Sequence, residues 1–159
     1  MSFDSSVTTR PCCRLGPSAI RASSVALASL NSYPFGIDPF QHINVIDYGD
    51  CYLNTHKPES IEGSIYQHAK TIIESGTKML TFGGDHFISL QLLRAHAGVY
   101  GRVSLLQFES DCDTWEAQGP INDGTRIFSP VNEGIYKLEN SVKVVLLRDK
   151  ECGVRLDSR

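Results

Sequence analysis

The sequence predicts an α/β domain whose sheet is mainly parallel. Segments of strand and helix character alternate along the chain, and helices that cross over between strands favour parallel pairing. The predicted strands end in glycine or acidic residues, which is the edge where open α/β sheets carry their ligands. The chain has 159 residues, of which 41% are hydrophobic, and this matches one ordinary domain.

The first predicted helix covers about residues 17–30. Pro17 suits a first helical turn, and apolar residues recur at helical spacing, namely Ile20, Leu27 and Leu30. The segment INVIDYGD, from Ile43, follows as a buried strand, because apolar and β-branched residues cluster there and a glycine closes the run.

A second helix is predicted over residues 59–75. Gly76 stands where a helix ends, and one face is apolar through Ile61, Ile65, Ala69 and Ile72. The segment KMLTF, residues 78–82, is a second strand that ends at GGDH. A third helix then shows apolar spacing at Ile88, Leu92 and Ala95, and VSLLQF, residues 103–108, is a third strand. SVKVVLLRD supplies a fourth.

Composition excludes several classes of partner. The formal net charge is −3, so no general attraction to nucleic acid or to an anionic membrane is expected. No uncharged run approaches the roughly 20 residues that a membrane span needs, and the opening MSFDSSVTTRPCCRLG has no apolar core of signal-peptide length. A cytoplasmic protein is expected. The five cysteines are loosely spaced, which favours reduced thiols.

Acidic residues cluster at the end of the third strand, in LLQFESDCDTWE. Glu109, Asp111 and Asp113 alternate, so on a strand they would face the same way. Two carboxylates about 4 Å apart repel by about 4 kcal/mol at an effective dielectric near 20, so three of them would need a cation or bound protons. With the imidazole of His86 in GGDH, such a set of ligands suits manganese or magnesium.

A simpler interpretation stays open for the same residues. Each acid could turn to water as the chain leaves the sheet, and His86 could pack or form a local hydrogen bond. The glycines of GGDH would then permit a tight turn, and Asp85 would cap the next helix. On spacing alone this interpretation is favoured, because motifs of this length have many false positives.

Several motifs in order resemble the ureohydrolase family of arginases and agmatinases, most closely the bacterial agmatinases. FDSSVTTRPCCRLGPSAIRASS is similar to the opening loop of the family, with its R-x-G-P-x-x-I-R pattern. FGGDHFISLQLLRAHAGVYG, residues 82–101, is similar to the agmatinase signature, and INDGT and NEGIY fall in the family's order. The resemblance implies the arginase-like fold, a three-layer α/β structure with a mainly parallel sheet.

The resemblance also implies a reaction. Such enzymes carry two manganese ions, bridged by a hydroxide, at the carboxyl edge of the sheet. The hydroxide attacks a guanidinium carbon and releases urea and an amine, which for agmatine is putrescine, a step of polyamine metabolism. The guanidino compound would be the small-molecule partner, and a homo-oligomer is possible.

The ligand positions of this chain depart from the family pattern in several places. His86 matches the first metal histidine. The D-A-H-x-D motif corresponds here to residues 109–113, so that Glu109 replaces an aspartate, Asp111 replaces a histidine and Asp113 is retained. Asp123 stands where the family has a histidine near the reacting guanidinium. We therefore expect one bound manganese ion or none, and impaired activity.

The resemblance covers only part of the family's fold. The first family strand has no counterpart, and no D-x-D-x-x-D-P motif follows before Arg159. Residues 1–159 are therefore expected to form a partial ureohydrolase domain, its N-terminal half. Two functional hypotheses remain beside a working amidinohydrolase, namely a non-catalytic remnant and an interaction module that binds a full-length homologue.

Overall fold

A computed structural model describes residues 1–7, 10–29, 33–109 and 133–145. Within these ranges lie the α-helices α1 (Gly16–Ser23), α2 (Ile61–Glu74) and α3 (Ile88–Tyr100) and the strands β1 (Leu106–Glu109) and β2 (Val142–Val145). Short 3₁₀ turns span Cys13–Leu15, Ser24–Ser29, Pro39–Gln41, Pro58–Ser60 and Leu138–Asn140. None of the described helices is long and apolar enough to cross a membrane.

Strands β1 and β2 are parallel neighbours, as the sequence predicts. Leu106 pairs with Val142 at one end and Glu109 pairs with Val145 at the other. An isolated parallel bridge between Val103 and Tyr136 has the same direction, but its register differs by three residues, and the 3₁₀ turn Leu138–Asn140 lies between the two pairings. The carboxyl ends of both strands therefore lie at one edge of the sheet, and Glu109 stands at that edge.

Helices α2 and α3 form the main core. Ile65, Ala69 and Ala95 are fully buried, and Ile61, Ile73 and Ile88 are nearly so. The fourth inward position of α2 is Ile73, not the predicted Ile72, because steps of four residues from Ile65 and Ala69 continue to 73. Gly76 adopts a φ of 79°, which suits a glycine and ends the helix where predicted.

Helix α1 is shorter than predicted. The α-helical part ends at Ser23, and a 3₁₀ turn continues to Ser29. The Ser24 hydroxyl donates a hydrogen bond to the Arg21 carbonyl at 2.7 Å. Serine side chains compete in this way for backbone groups, which favours a tightened helix end.

The two expected strands nearest the N-terminus are not formed within the described residues. Neither the segment from Ile43 nor residues 78–82 takes part in a ladder. The predicted burial of the segment from Ile43 is also wrong, since Ile46 is 74% exposed. A strand is stabilised by pairing with a neighbour rather than by its own sequence. Strand propensity therefore does not suffice for these segments.

Candidate metal centre

The loop of residues 83–87 carries His86 and lies against the first residues of the chain. The Gly84 N–H donates to the Met1 carbonyl at 3.2 Å, and the Asp85 N–H donates to the Phe3 carbonyl at 2.7 Å. A Cβ on Gly84 would lie 2.0 Å from the Phe3 carbonyl oxygen, so this close approach requires glycine. The rings of Phe3 and Phe87, both buried, are 5.4 Å apart.

Asp85 binds backbone and side-chain donors from two segments. Its Oδ2 accepts from the Ser6 N–H at 3.0 Å and from the Ser6 hydroxyl at 2.7 Å. Its Oδ1 accepts from the Phe87 N–H at 3.1 Å. Phe87 is itself the N-cap position of α3, so Asp85 fixes the loop before the helix and does not cap the helix in the expected way.

His86 and Glu109 are brought together at the carboxyl edge of the sheet. The His86 Nδ1 lies 3.8 Å from the Glu109 Oε2, and both side chains are about one-third exposed, at 28% and 30%. The structure places the loop after residue 82 beside the end of β1, and this brings the two side chains together at the edge. The predicted proximity of these two edge residues is thus found in the structure.

The pair has suitable chemistry for a divalent cation. Donor atoms lie about 2.0–2.2 Å from such an ion, so two donors of one ion stand at most about 4.4 Å apart. The 3.8 Å between the imidazole nitrogen and the carboxylate oxygen lies within this limit. An imidazole with carboxylate oxygens suits hard or intermediate metals such as manganese.

The other candidate site residues lie outside the described residues. These are Asp111, Asp113 and Asp123. Within the described part of the chain, no group of three or more histidine, cysteine, aspartate or glutamate side chains is close enough to hold a metal ion. The assignment of Asp111 and Asp113 as ligands, and of Asp123 near the reacting carbon, stays a prediction.

The acids at the end of the predicted first strand bind an arginine of α1. Arg21 Nε donates to Asp47 Oδ2 at 2.6 Å, and Arg21 Nη1 donates to Asp50 Oδ2 at 3.3 Å. The hydrogen bonds from Arg21 and from the Gly49 N–H lower the pKa of Asp47 to about 2. Arg21 therefore offsets part of the negative charge of these two carboxylates, and the ion pairs hold α1 beside residues 47–50.

A cleft of about 460 Å³ extends from the pair between α3 and β1. Its wall includes His86, Glu109, His96 and Tyr136, together with leucines of α3 and of the segment that forms β1. The His96 Nδ1 is 2.8 Å from the Leu92 carbonyl, so this ring is held by its own helix. Burial raises the pKa of Tyr136 to about 12.

Reasoning from the sequence missed Ser6 as a residue of this region. It lies 79 residues from Asp85, and no periodicity or spacing connects the two. It stands within FDSSVTTRP, the opening loop that resembles the family's. A family resemblance was the one signal that pointed to this segment, and it did not identify the serine.

The edge geometry and the parallel sheet define an α/β protein with a candidate metal site at the carboxyl ends of its strands. The model of the Arginase family matches residues 1–150. The chain therefore belongs to the arginase family.

Known relatives agree with this membership. The agmatinase of Chromobacterium violaceum is 51% identical over 145 residues, which are 89% of this chain and 45% of that protein. The agmatinase of Serratia proteamaculans is 37% identical over 143 residues, which are 89% of this chain and 47% of that protein. The chain thus spans about half the length of the curated relatives it matches.

Solved structures confirm the arginase-like fold. A crystal structure described as a hypothetical agmatinase from Burkholderia thailandensis has a TM-score of 0.87 and 46% identity, and the match covers 94% of this chain and 48% of that one. The formimidoylglutamase of Bacillus subtilis has a TM-score of 0.80 at 18% identity, which supports the fold alone. The predicted three-layer α/β class, represented by its N-terminal half, is confirmed.

Proposed function

We propose that this chain contributes ligands to a manganese site of the amidinohydrolase type. The observation that carries the proposal is the 3.8 Å approach of His86 and Glu109, which come from separate loop and strand elements. Asp111 and Asp113 follow Glu109 in the sequence and complete the proposed set of ligands. Residues 1–159 are, in this proposal, part of one ureohydrolase domain.

The substrate class is a guanidino compound, and agmatine is the proposed substrate. Relatives at 51% and 37% identity bear the name agmatinase, which supports this choice. Held by the proposed ligands, manganese would supply Lewis acidity that lowers the pKa of a bound water. The carboxylates of the site attract the cationic guanidinium, and the products are urea and putrescine.

We propose further that residues 1–159 by themselves do not turn over agmatine. Glu109 places its oxygens one methylene further from the backbone than the aspartate of the family pattern, whereas productive sites hold their groups within roughly 0.5 Å. Asp111 replaces an imidazole by a charged carboxylate, which lowers the Lewis acidity of a bound metal. Asp123 replaces a histidine and is a poor proton carrier at neutral pH.

Urea release from agmatine tests this proposal. Residues 1–159 are incubated with agmatine and manganese beside a buffer blank, and no release above the blank is expected. A variant with Glu109→Asp, Asp111→His and Asp123→His restores the family pattern and serves as the matched comparison. Saturable, chelator-sensitive release by the unaltered chain would contradict the proposed loss of activity.

Metal content tests the site separately from catalysis. After dialysis against manganese and then metal-free buffer, we expect at most one ion per chain. Glu109→Asp should bind manganese more tightly than the unaltered chain, because it restores the shorter carboxylate. Two ions bound per chain would contradict the proposal of an incomplete site.

A second candidate function is an interaction module that binds a full-length homologous subunit. It is favoured by an apolar face of the β1–β2 pair, where Leu106 is 64%, Phe108 72%, Val142 56% and Val144 40% exposed. Apolar patches of this kind mark interaction surfaces.

Mixing with the Chromobacterium violaceum agmatinase tests this function. If the face binds that protein, the two should elute together from a size-exclusion column, Phe108→Asp should abolish the shift, and Tyr52→Asp, at an exposed residue outside the strands, should not. Unchanged elution of the mixture argues against the module. A cytoplasmic location and a homo-oligomeric state stay predictions.

A further inference from the structure

The carboxylate of Asp85 encloses the backbone of His86. Its Oδ1 accepts a hydrogen bond from the N–H of Phe87, two residues along the chain, at 3.1 Å. This bond closes a turn in which His86 is the central residue. The His86 carbonyl in turn accepts from the Ser89 N–H at 3.0 Å, so the histidine is anchored to the start of α3.

Ser6 fixes the other oxygen of the same carboxylate. Its N–H and its hydroxyl both donate to Asp85 Oδ2, at 3.0 Å and 2.7 Å. Ser6 is 8% and Asp85 6% exposed, so these bonds form away from bulk water, where they are strong. Because both oxygens are bound, the carboxylate cannot rotate freely and the turn around His86 is fixed.

Apolar contacts already attach this loop to the core. Phe87 is 5% exposed and its ring lies 5.4 Å from that of Phe3. A buried carboxylate costs desolvation free energy that an apolar residue would not. The distinct contribution of Asp85 is therefore orientation, since its hydrogen bonds fix the backbone around His86, whose Nδ1 lies 3.8 Å from the Glu109 carboxylate.

We infer that Asp85, held by Ser6, is a positioning residue that directs the His86 ring toward Glu109. Its consequence for metal binding rests on the proposed function, whereas the positioning itself does not need a metal. Partners that orient a metal ligand typically change metal affinity about 10- to 100-fold when they are removed.

Four variants separate positioning from simple stability. Ser6→Ala removes the hydroxyl that binds Asp85, and Ser6→Thr restores it. Asp85→Asn replaces one carboxylate oxygen by an NH₂ group, which cannot accept the hydrogen bond that this oxygen accepts from Ser6 or Phe87. Ser64→Ala is the matched control, because it removes a hydroxyl that donates to the Ser60 carbonyl at 2.9 Å on α2.

Two measurements are made on each variant in the full 159-residue chain. Nuclear Overhauser contacts between the His86 ring and Glu109 report the direction of the ring without metal. We expect them to be lost in Ser6→Ala and Asp85→Asn and kept in Ser6→Thr and Ser64→Ala. Manganese titration should show about 10-fold weaker binding for Ser6→Ala and Asp85→Asn.

The outcomes are distinguishable. If Asp85→Asn keeps both the ring contacts and the manganese affinity, the positioning role is overturned. If Ser64→Ala weakens both to the same extent as Ser6→Ala, the role is only structural and the inference is also overturned. If the unaltered chain binds no manganese, the proposed function fails, and the ring contacts still decide the positioning role.

Discussion

Arg94 of α3 binds Glu133 with two parallel hydrogen bonds across a sequence separation of 39 residues. Arg94 Nε lies 2.9 Å from Glu133 Oε2, and Nη2 pairs with Oε1. Arg94 Nη1 also contacts Glu62 of α2 at 3.3 Å. One guanidinium therefore connects α2 and α3 to the segment that begins at Glu133. This segment leads to Tyr136, which forms the bridge to Val103, and then to β2.

Arg94→Ala is expected to lower the free energy of unfolding by about 1 kcal/mol, because paired, bidentate contacts exceed an ordinary surface ion pair. Arg94→Lys should recover little, since an ammonium cannot bind both oxygens in the same geometry. Urea denaturation measures both. Lys70→Ala, which removes a 3.7 Å surface pair with Glu74, should change stability by less than about 0.5 kcal/mol. Equal losses of stability for Arg94→Ala and Lys70→Ala would show that the connection of Arg94 to Glu133 and Glu62 contributes no more than an ordinary surface pair.

Gly84→Ala should destabilise the chain by about 2 kcal/mol, because the added Cβ would lie 2.0 Å from the Phe3 carbonyl oxygen. The backbone must then move, and the first residues should detach from the His86 loop. Gly63 provides the control, since it lies in α2 with no neighbour within 4 Å of an added Cβ. Gly63→Ala should stabilise by about 0.5 to 1 kcal/mol. Chemical denaturation compares the two variants. An unchanged free energy of unfolding in Gly84→Ala would refute the close approach of Gly84 to the Phe3 carbonyl.

Stability should fall in alkaline solution because of Tyr136. Burial raises its pKa from 10.0 to about 12, so the unfolded chain loses this proton at lower pH than the folded chain. The stabilisation that comes from keeping the buried phenol neutral is fully present below pH 10 and is lost as the pH rises from about 10 to about 12. The total loss in free energy of unfolding is roughly 2 to 3 kcal/mol. Denaturation curves at several pH values should show a smaller alkaline loss in Tyr136→Phe than in the unaltered chain.

The control for this pH dependence is Tyr52→Phe. Tyr52 is 80% exposed, so its substitution should leave the alkaline loss of stability unchanged. An identical alkaline curve for Tyr136→Phe and the unaltered chain would show that the buried phenol does not account for the effect.

Manganese should raise the Tm of the chain through His86. A ligand at about 100 times its Kd stabilises the folded state by about 2.7 kcal/mol. His86→Ala should abolish the rise, and chelation should reverse it. His96→Ala should keep it, because the His96 Nδ1 is held by the Leu92 carbonyl at 2.8 Å. Thermal unfolding with and without manganese measures this, and an unchanged response in His86→Ala would remove His86 from the site.

Local patterns predicted the helices better than the strands. Helices α2 and α3 form where apolar periodicity placed them, because their hydrogen bonds are internal and their buried faces recur every turn. The segment from Ile43 and residues 78–82 have strand composition, yet neither joins a ladder within the described residues. A strand forms only when it pairs with a second strand, and the sequence of one segment does not say which other segment that is.

The candidate site was predicted in part. The sequence placed His86 and Glu109 at strand ends, and the structure brings them to 3.8 Å. It did not predict that Asp47 and Asp50 would bind Arg21, or that Ser6 would hold Asp85. Each of these contacts joins residues at least 26 positions apart.

The sequence by itself determined the positions of α2 and α3 and the family whose motifs the chain carries. These properties depend on neighbouring residues and on inherited motifs, both of which are written along the chain. The tertiary structure decided which polar groups meet, including His86 with Glu109, Asp85 with Ser6 and Arg94 with Glu133. These contacts join residues that are distant in sequence, and the packing of the whole fold decides which of them come close together.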